Sequence, residues 1–231
     1  MRLGIMQPYF LPYIGYWQLI HSVDKFVVYN NIKYTKKGWI NRNRFLQNGK
    51  DADFTIPLKK ASDFLNVRDR TISADFNRNK LLNQMKEAYK KAPYFNQIFP
   101  IFEKVLYYNE CNLFDYIYFS IKEMCNILKI KTEIIISSNI SIDHSLKSQD
   151  KVVAICKNMG ADIYINAIGG QDLYSKETFS KNNIDIKFIK SNPFEYKQFN
   201  NEFIQWLSII DVLMFNSEEE IYKILNSYEL I

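Results

Sequence analysis

The chain has 231 residues, 47 % of them hydrophobic and 16 % aromatic, with a formal net charge of +5. That length and apolar fraction exclude a disordered chain and allow one large or two small domains around a real core. The charge is too small for a duplex-binding surface, but ten Lys and Arg against four Asp fall within residues 33–70, a local basic field that suits an anionic ligand rather than nucleic acid.

Arg2–Met6 reads as a short strand stopped by Gln7-Pro8. Two prolines four apart forbid regular helix before Pro12, so the first helix is expected across Gly15–Ser22. Lys25–Tyr29 is a compact apolar strand that closes a first βαβ unit. Residues 39–46 and 53–58 are predicted to pair as strands, with Asn48-Gly49 as their turn signal. Helices follow at 80–92, 97–108 and 111–129; in the last, Leu113, Ile117, Ile121, Met124 and Leu128 form a core-facing stripe. Glu133–Ser137 reads as a strand, Gln149–Met159 as a helix ending at Gly160, and Asp162–Asn166 as a strand. A loop over Ile168–Tyr174, a short helix at 176–181 and a strand at 184–189 come next. Residues 206–215 are strongly apolar, and Glu218–Asn226 closes the chain as a helix. The expectation is one α/β domain over residues 1–231, a largely parallel sheet with flanking helices and a helical middle at about 80–129.

Cys111, Cys125 and Cys156 are widely spaced, without a Cys-x-x-Cys pair, which argues against a disulfide framework and for a reducing cytoplasm. Cys125 and Cys156 occupy apolar helical positions and are expected to be buried thiols. His21 and His144 are the only histidines, and neither has a second His or Cys at ligand spacing, so no metal site is expected. Gln7, Pro8 and Pro12 interrupt the apolar N-terminus too early for a signal peptide, and no apolar run approaches the length of a membrane span.

Three stretches place polar side chains or glycines where strands end, the side of an α/β sheet on which ligands bind. The first is Gln7-Pro-Tyr9-Phe-Leu-Pro-Tyr13-Ile-Gly15, in which the prolines stiffen the loop and Gln7 offers a donor and an acceptor. The second runs from Tyr29-Asn30-Asn31 through Lys36 to Trp39-Ile-Asn41-Arg42-Asn43-Arg44. An extended chain there puts Asn41 and Asn43 on one face and two guanidinium groups on the other. Inward amides need partners, from the fold or from a ligand, because leaving one unpaired costs roughly 1–3 kcal/mol. Arg42 and Arg44 match the geometry of a phosphate or carboxylate. The third stretch is Asn166-Ala-Ile-Gly169-Gly170-Gln171-Asp172-Leu-Tyr174, whose paired glycines between strand and helix allow backbone N–H groups to face an anion. No GxSxG, GxxxxGK[ST] or GxGxxG motif is present. The strand–loop–helix at QPYFLPYIGYWQLI is too thin a likeness to HxGH-type nucleotidyltransferases to support adenylyl transfer, since Tyr16 follows Gly15 and no histidine precedes it.

Six segments occur in order along nearly the whole chain: GIMQPYFLPYIGYWQLI, VDKFVVYNN, GWINRNR, KKAPYF, the span from SQDKVVAIC to YINAIGGQDLY, and EYKQFNNEFIQWLSIIDVLMFN. Together they resemble the WbqC-like protein family. Members of that family often carry His where Met6 stands, and many read Tyr-Asp-Asp where this chain has Tyr29-Asn30-Asn31. The resemblance implies a cytoplasmic enzyme of bacterial O-antigen or other surface-glycan biosynthesis. Its implied reaction is N-acyl or aminoacyl transfer to a nucleotide-linked amino sugar, with an activated acyl or aminoacyl donor as co-substrate and no bound cofactor. On that reading Arg42 and Arg44 hold a diphosphate, Gln7, Asn41 and Asn43 orient sugar or donor, and the Gly169-Gly170 amides face an anion. Asp172, Asp211 and His21 are then the candidate proton acceptors. A non-catalytic nucleotide-sugar binding protein and an ATP-dependent amide ligase remain as alternatives.

Overall fold

The computed structural model describes residues 1–231. Strand β1 (Arg2–Met6) leads through the proline loop into helix α1 (Ile14–His21), and β2 (Lys25–Val28) returns parallel to β1. The chain then leaves the sheet for a hairpin, β3 (Arg42–Gln47) and β4 (Lys50–Thr55). Three helices follow: α2 (Arg78–Tyr89), α3 (Phe95–Leu106) and α4 (Leu113–Ile127). It re-enters as β5 (Glu133–Ile136), crosses by α5 (Ser148–Met159) to β6 (Ile163–Ala167), and continues through α6 (Lys176–Ser180) to β7 (Asp185–Ser191). Helices α7 (Ile209–Phe215) and α8 (Glu218–Leu225) and strand β8 (Tyr228–Leu230) end the chain.

Six strands form one sheet in the order β5-β2-β1-β6-β7-β8, with every neighbouring pair parallel except β7 and β8. Numbered within this sheet alone the order is 3-2-1-4-5-6, the order of doubly wound nucleotide-binding sheets, here with an antiparallel last strand. The winding reverses between β1 and β6, which defines the switch point. Leu3, Ile5, Val27, Tyr164 and Phe188 face one core, and Phe26, Val28, Ile165 and Ile189 face the other. Burial on both faces explains why these strands read as apolar runs without polar alternation.

Turn chemistry predicted two boundaries that the structure reproduces. Asn48 (φ 51°) and Gly49 (φ 74°) are both left-handed in the β3–β4 turn, and Gly160 (φ 69°) caps α5. The hairpin itself is shifted. The strand expected from Trp39 begins at Arg42, and its partner spans Lys50–Thr55 rather than 53–58. Arg42 ties the preceding bend in place, its Nε donating to the Gly38 carbonyl (3.0 Å) and its Nη2 to that of Lys37 (2.8 Å). The stretch 168–174, expected as a loop, contains a turn of 3-10 helix at Ile168–Leu173.

The proline loop is held from three sides. Trp17 Nε1 donates to Pro12 O (3.0 Å), Ser208 Oγ to Leu11 O (2.8 Å), and Asn43 Nδ2 to Leu11 O (2.6 Å) and Phe10 O (3.2 Å). Asn43 Oδ1 accepts from Arg44 N (2.8 Å), so the whole amide is consumed by backbone. Asn43→Ala should therefore cost ~2–3 kcal/mol, because it leaves buried backbone groups unpaired. Chemical denaturation checks this, and an unchanged midpoint would return Asn43 to the ligand-binding set.

Candidate functional site

A cleft of about 1260 Å³ lies over the C-terminal ends of β1, β2 and β6, at the switch point. One wall is the proline loop and the start of α1, with Gln7, Tyr9, Tyr13 and Tyr16. Gly15 lies beside them because a Cβ there would come within 2.5 Å of the Tyr13 ring, which could then no longer rest against α1. The floor is Met6, Tyr29, Tyr164 and Asn166, and the segment Ala167–Tyr174 forms the far rim. The remaining wall is the loop from His144 to Lys147 and the first turns of α5.

The polar groups of the floor are linked. Asn166 Nδ2 donates to the Tyr164 hydroxyl (3.0 Å), which donates to that of Tyr174 (3.3 Å), while Asn166 Oδ1 accepts from Ala167 N (2.7 Å). Gly170 sits over Asn166, where a Cβ would stand 3.1 Å from the amide nitrogen. Burial raises the pKa of the Tyr9, Tyr13, Tyr29, Tyr164 and Tyr174 hydroxyls, so at neutral pH they are protonated donors. Gln7, which lines the cleft, accepts a hydrogen bond from the Tyr16 hydroxyl through its main-chain carbonyl (3.0 Å), so its side-chain amide is not used in that bond.

The charged side chains that line the cleft are of one sign. Lys33, Lys147 and Lys151 line the cleft and no Asp or Glu does. Lys151 is 7 % exposed, its Nζ donates to the His144 carbonyl (3.3 Å), and it stands 5.5 Å from the centre of the Tyr29 ring. Burial lowers its pKa, and the Arg68 charge adds to the shift. Lys147, Ser148 and Gln149 line the cleft and no side chain caps α5 there, so the positive dipole end of the helix lies at the same wall. His144 Nδ1 accepts from Asn31 Nδ2 (2.9 Å), which puts the proton of a neutral imidazole on Nε2.

Several expected site residues share the cleft: Gln7, Tyr9, Tyr13, Tyr29, Asn31, Trp39, Asn166, Gly169, Gly170 and Tyr174. Others lie outside the cleft, and several of these have their polar groups engaged within the fold. Asn30 accepts from Ser137 Oγ (3.0 Å) and Ser138 N (3.1 Å), joining β2 to the end of β5. Asn41 accepts from the Tyr34 hydroxyl (2.8 Å) and donates to Ile56 O (2.7 Å). Lys36 pairs with Asp63 (2.7 Å) on the surface. Arg42 and Arg44 stack over Trp39, at 5.0 and 5.5 Å from its centre, and Arg44 also pairs with Asp51 (2.9 Å). Both guanidinium groups are thus drawn to one indole, and Arg44 faces a neighbouring hollow. Gln171 and Asp172 belong to the rim segment but are exposed and do not line the cleft. His21 lines a separate hollow of about 640 Å³ with Tyr222, and Asp211 is fully buried in α7.

Sequence reasoning placed Lys33 in the basic segment 33–70 without singling it out, and missed Lys147, Lys151 and His144. The loop after the strand at 133–137 is also a strand C-terminal end, and applying the same rule there would have flagged it.

The sequence profile of the WbqC-like protein family matches residues 7–223. The uncharacterized protein Rv1507c of Mycobacterium tuberculosis is 24 % identical over 218 residues, covering 92 % of each chain. No solved structure matches the chain. No helix is long and apolar enough to cross a membrane.

Proposed function

The chain belongs to the WbqC-like protein family, and from that premise we propose that it binds a nucleotide-linked amino sugar in the switch-point cleft and forms an amide on the sugar amine. The setting would be bacterial surface-polysaccharide biosynthesis, and the second substrate an activated acyl or aminoacyl donor. The observation that carries the binding part is a lining of three lysines, Lys147 and Lys151 on the α5 side and Lys33 on the loop after β2, without a carboxylate, around a floor of tyrosine and asparagine donors. Such a surface attracts a diphosphate and offers directional hydrogen bonds to a sugar. In the transfer, the neutral amine attacks the donor carbonyl, the leaving group departs with its electron pair, and the amine proton passes to a base. The hydroxyls of Tyr9, Tyr13, Tyr29 and Tyr174 and His144 Nε2–H are donors for the developing oxyanion.

A thermal-shift panel tests the binding step with UDP, dTDP and GDP, their amino sugars, ATP and coenzyme A. A ligand at about 100 times its dissociation constant adds ~2.7 kcal/mol, which for a chain of this size raises Tm by roughly 5–10 °C. Incubating the stabilising sugar with activated donors should then add the acyl mass to it. Silence across the panel would overturn the proposal. Binding without product for any donor would favour a non-catalytic nucleotide-sugar carrier. One feature supports that second reading: the only imidazole of the cleft has its Nδ1 occupied by Asn31, and no carboxylate lines the cleft to accept a proton.

A further inference from the structure

Beside the lysine-walled cleft lies a hollow of about 290 Å³ between the proline loop and the hairpin. Tyr9, Tyr13 and Trp39 line both, so the two are continuous. Its outer side is Trp206, which is 58 % exposed and sits 5.6 Å from Tyr13 at 65°. Trp39 opposite is 41 % exposed. Exposing two tryptophans to water around one hollow forgoes burial that a core would exploit.

The backbone adds a second observation. Trp206 has φ 64°, in the left-handed region that a bulky side chain rarely adopts. The surroundings hold it there: Arg44 Nη2 donates to Trp206 O (3.3 Å), and Ser208 N donates to Arg44 O (2.8 Å). Glycine or asparagine would meet the backbone requirement at lower strain. Strain kept on an exposed aromatic residue points to what the ring does outside the fold. Arg44, whose Nε is buried without a partner, also lines the hollow.

We infer that this aromatic hollow is the nucleobase subsite of the cleft, stacking a flat heterocycle against Trp206 with Tyr13 and Trp39 as its other sides. The hollow has room for one ring system, and its opening through Tyr9 and Tyr13 leads to the lysine wall where the phosphates would lie. Tyrosine and tryptophan faces stack bases with little regard to sequence, which leaves base choice to polar groups such as Arg44. This inference rests on the proposed nucleotide-sugar binding, and the test separates the two.

Calorimetric and fluorescence titrations with nucleoside 5′-monophosphates, inorganic pyrophosphate and a methyl glycoside make that separation. Of the three tryptophans, Trp17 is fully buried, so quenching reports Trp39 or Trp206. Monophosphates should quench, while pyrophosphate and the glycoside should not. Trp206→Gly relieves the positive φ and should keep Tm close to that of the wild type. It should weaken monophosphate binding tenfold or more without changing the affinity for pyrophosphate. Trp206→Tyr should recover part of the loss, which guards against a merely structural effect. Monophosphate binding without quenching, or with unchanged affinity in Trp206→Gly, would overturn the nucleobase subsite and leave the lysine wall standing. Failure of both pyrophosphate and monophosphates to bind would overturn the subsite together with the proposed function.

Discussion

Lys151→Met should weaken binding of a diphosphate-bearing ligand ~10–100-fold, since a charge-assisted hydrogen bond is worth about 1.5–3 kcal/mol. The free protein should be as stable as before, or more so. Both halves follow from the same geometry. Lys151 is almost wholly buried near the N-terminus of α5, the end of a helix that disfavours a cation. No carboxylate pairs with it, and its one protein acceptor is the His144 carbonyl. Methionine keeps the length of the stem and removes the desolvated charge.

The titration of this lysine gives the prediction a sign. Its folded pKa lies below the ordinary lysine value because burial penalises the ammonium, with Arg68 adding to the effect. The unfolded chain then binds more protons between the lowered folded pKa and the ordinary lysine range. The penalty is therefore full below that window, and stability should rise with pH across it. Denaturation curves taken across the alkaline range should show this rise in the wild type and not in Lys151→Met. An anion on the lysine wall restores the charged form, so ligand binding in the same window should take up a proton. Calorimetry in buffers of different ionisation enthalpy reads that uptake directly. A Lys151→Met variant that binds as tightly as the wild type and is less stable would assign the residue to packing alone.

Lys151 also shows where sequence reading stops. Arg2–Met6, the Asn48-Gly49 turn and the Gly160 cap were legible because each depends on neighbours within a few positions. Cys125 and Cys156 fell on apolar helical positions and are buried, which pushes both thiols up to about 12. Part of the candidate site was legible by a topological rule, since Gln7, Tyr29 and Gly170 follow strands, and Asn166 lies near the end of one, whose ends meet at the switch point. Lys151 was not, because its charge is judged by what surrounds it in space, and in the sequence it is one lysine at the start of an ordinary helix. Asn43 failed in the opposite direction. Its amide demanded a partner, and that partner proved to be backbone 32 and 33 positions earlier. Spacing alone cannot tell a ligand from a remote loop.

Asp211→Ala should be the most destabilising of these substitutions, by ~3–5 kcal/mol, with a fall in Tm of roughly 6–20 °C. The carboxylate accepts from the Tyr89 hydroxyl (2.7 Å), the Tyr196 hydroxyl (2.6 Å) and Gln198 Nε2 (2.7 Å). Tyr89 in turn accepts from Leu46 N in β3 (2.9 Å), so one side chain of α7 ties together the hairpin, α2 and the 196–198 segment. Alanine would strand three buried donors at once. Asp211→Asn retains the shape and one acceptor oxygen, enough for Tyr196 and Gln198, which share Oδ1 in the wild type, and should cost less. Desolvation raises the pKa of this carboxyl, against the lowering pull of the three hydrogen bonds. A raised carboxyl stabilises the fold fully below the ordinary aspartate range and loses that contribution as pH rises through its folded pKa. The stability gap between wild type and Asp211→Asn should accordingly narrow as pH rises across that interval. Ligand affinity measured on folded Asp211→Asn decides whether the residue serves the fold or the chemistry. With the carboxylate spent inside α7 and absent from the cleft wall, affinity and turnover should match the wild type, and a loss of turnover at unchanged affinity would restore Asp211 as a candidate base.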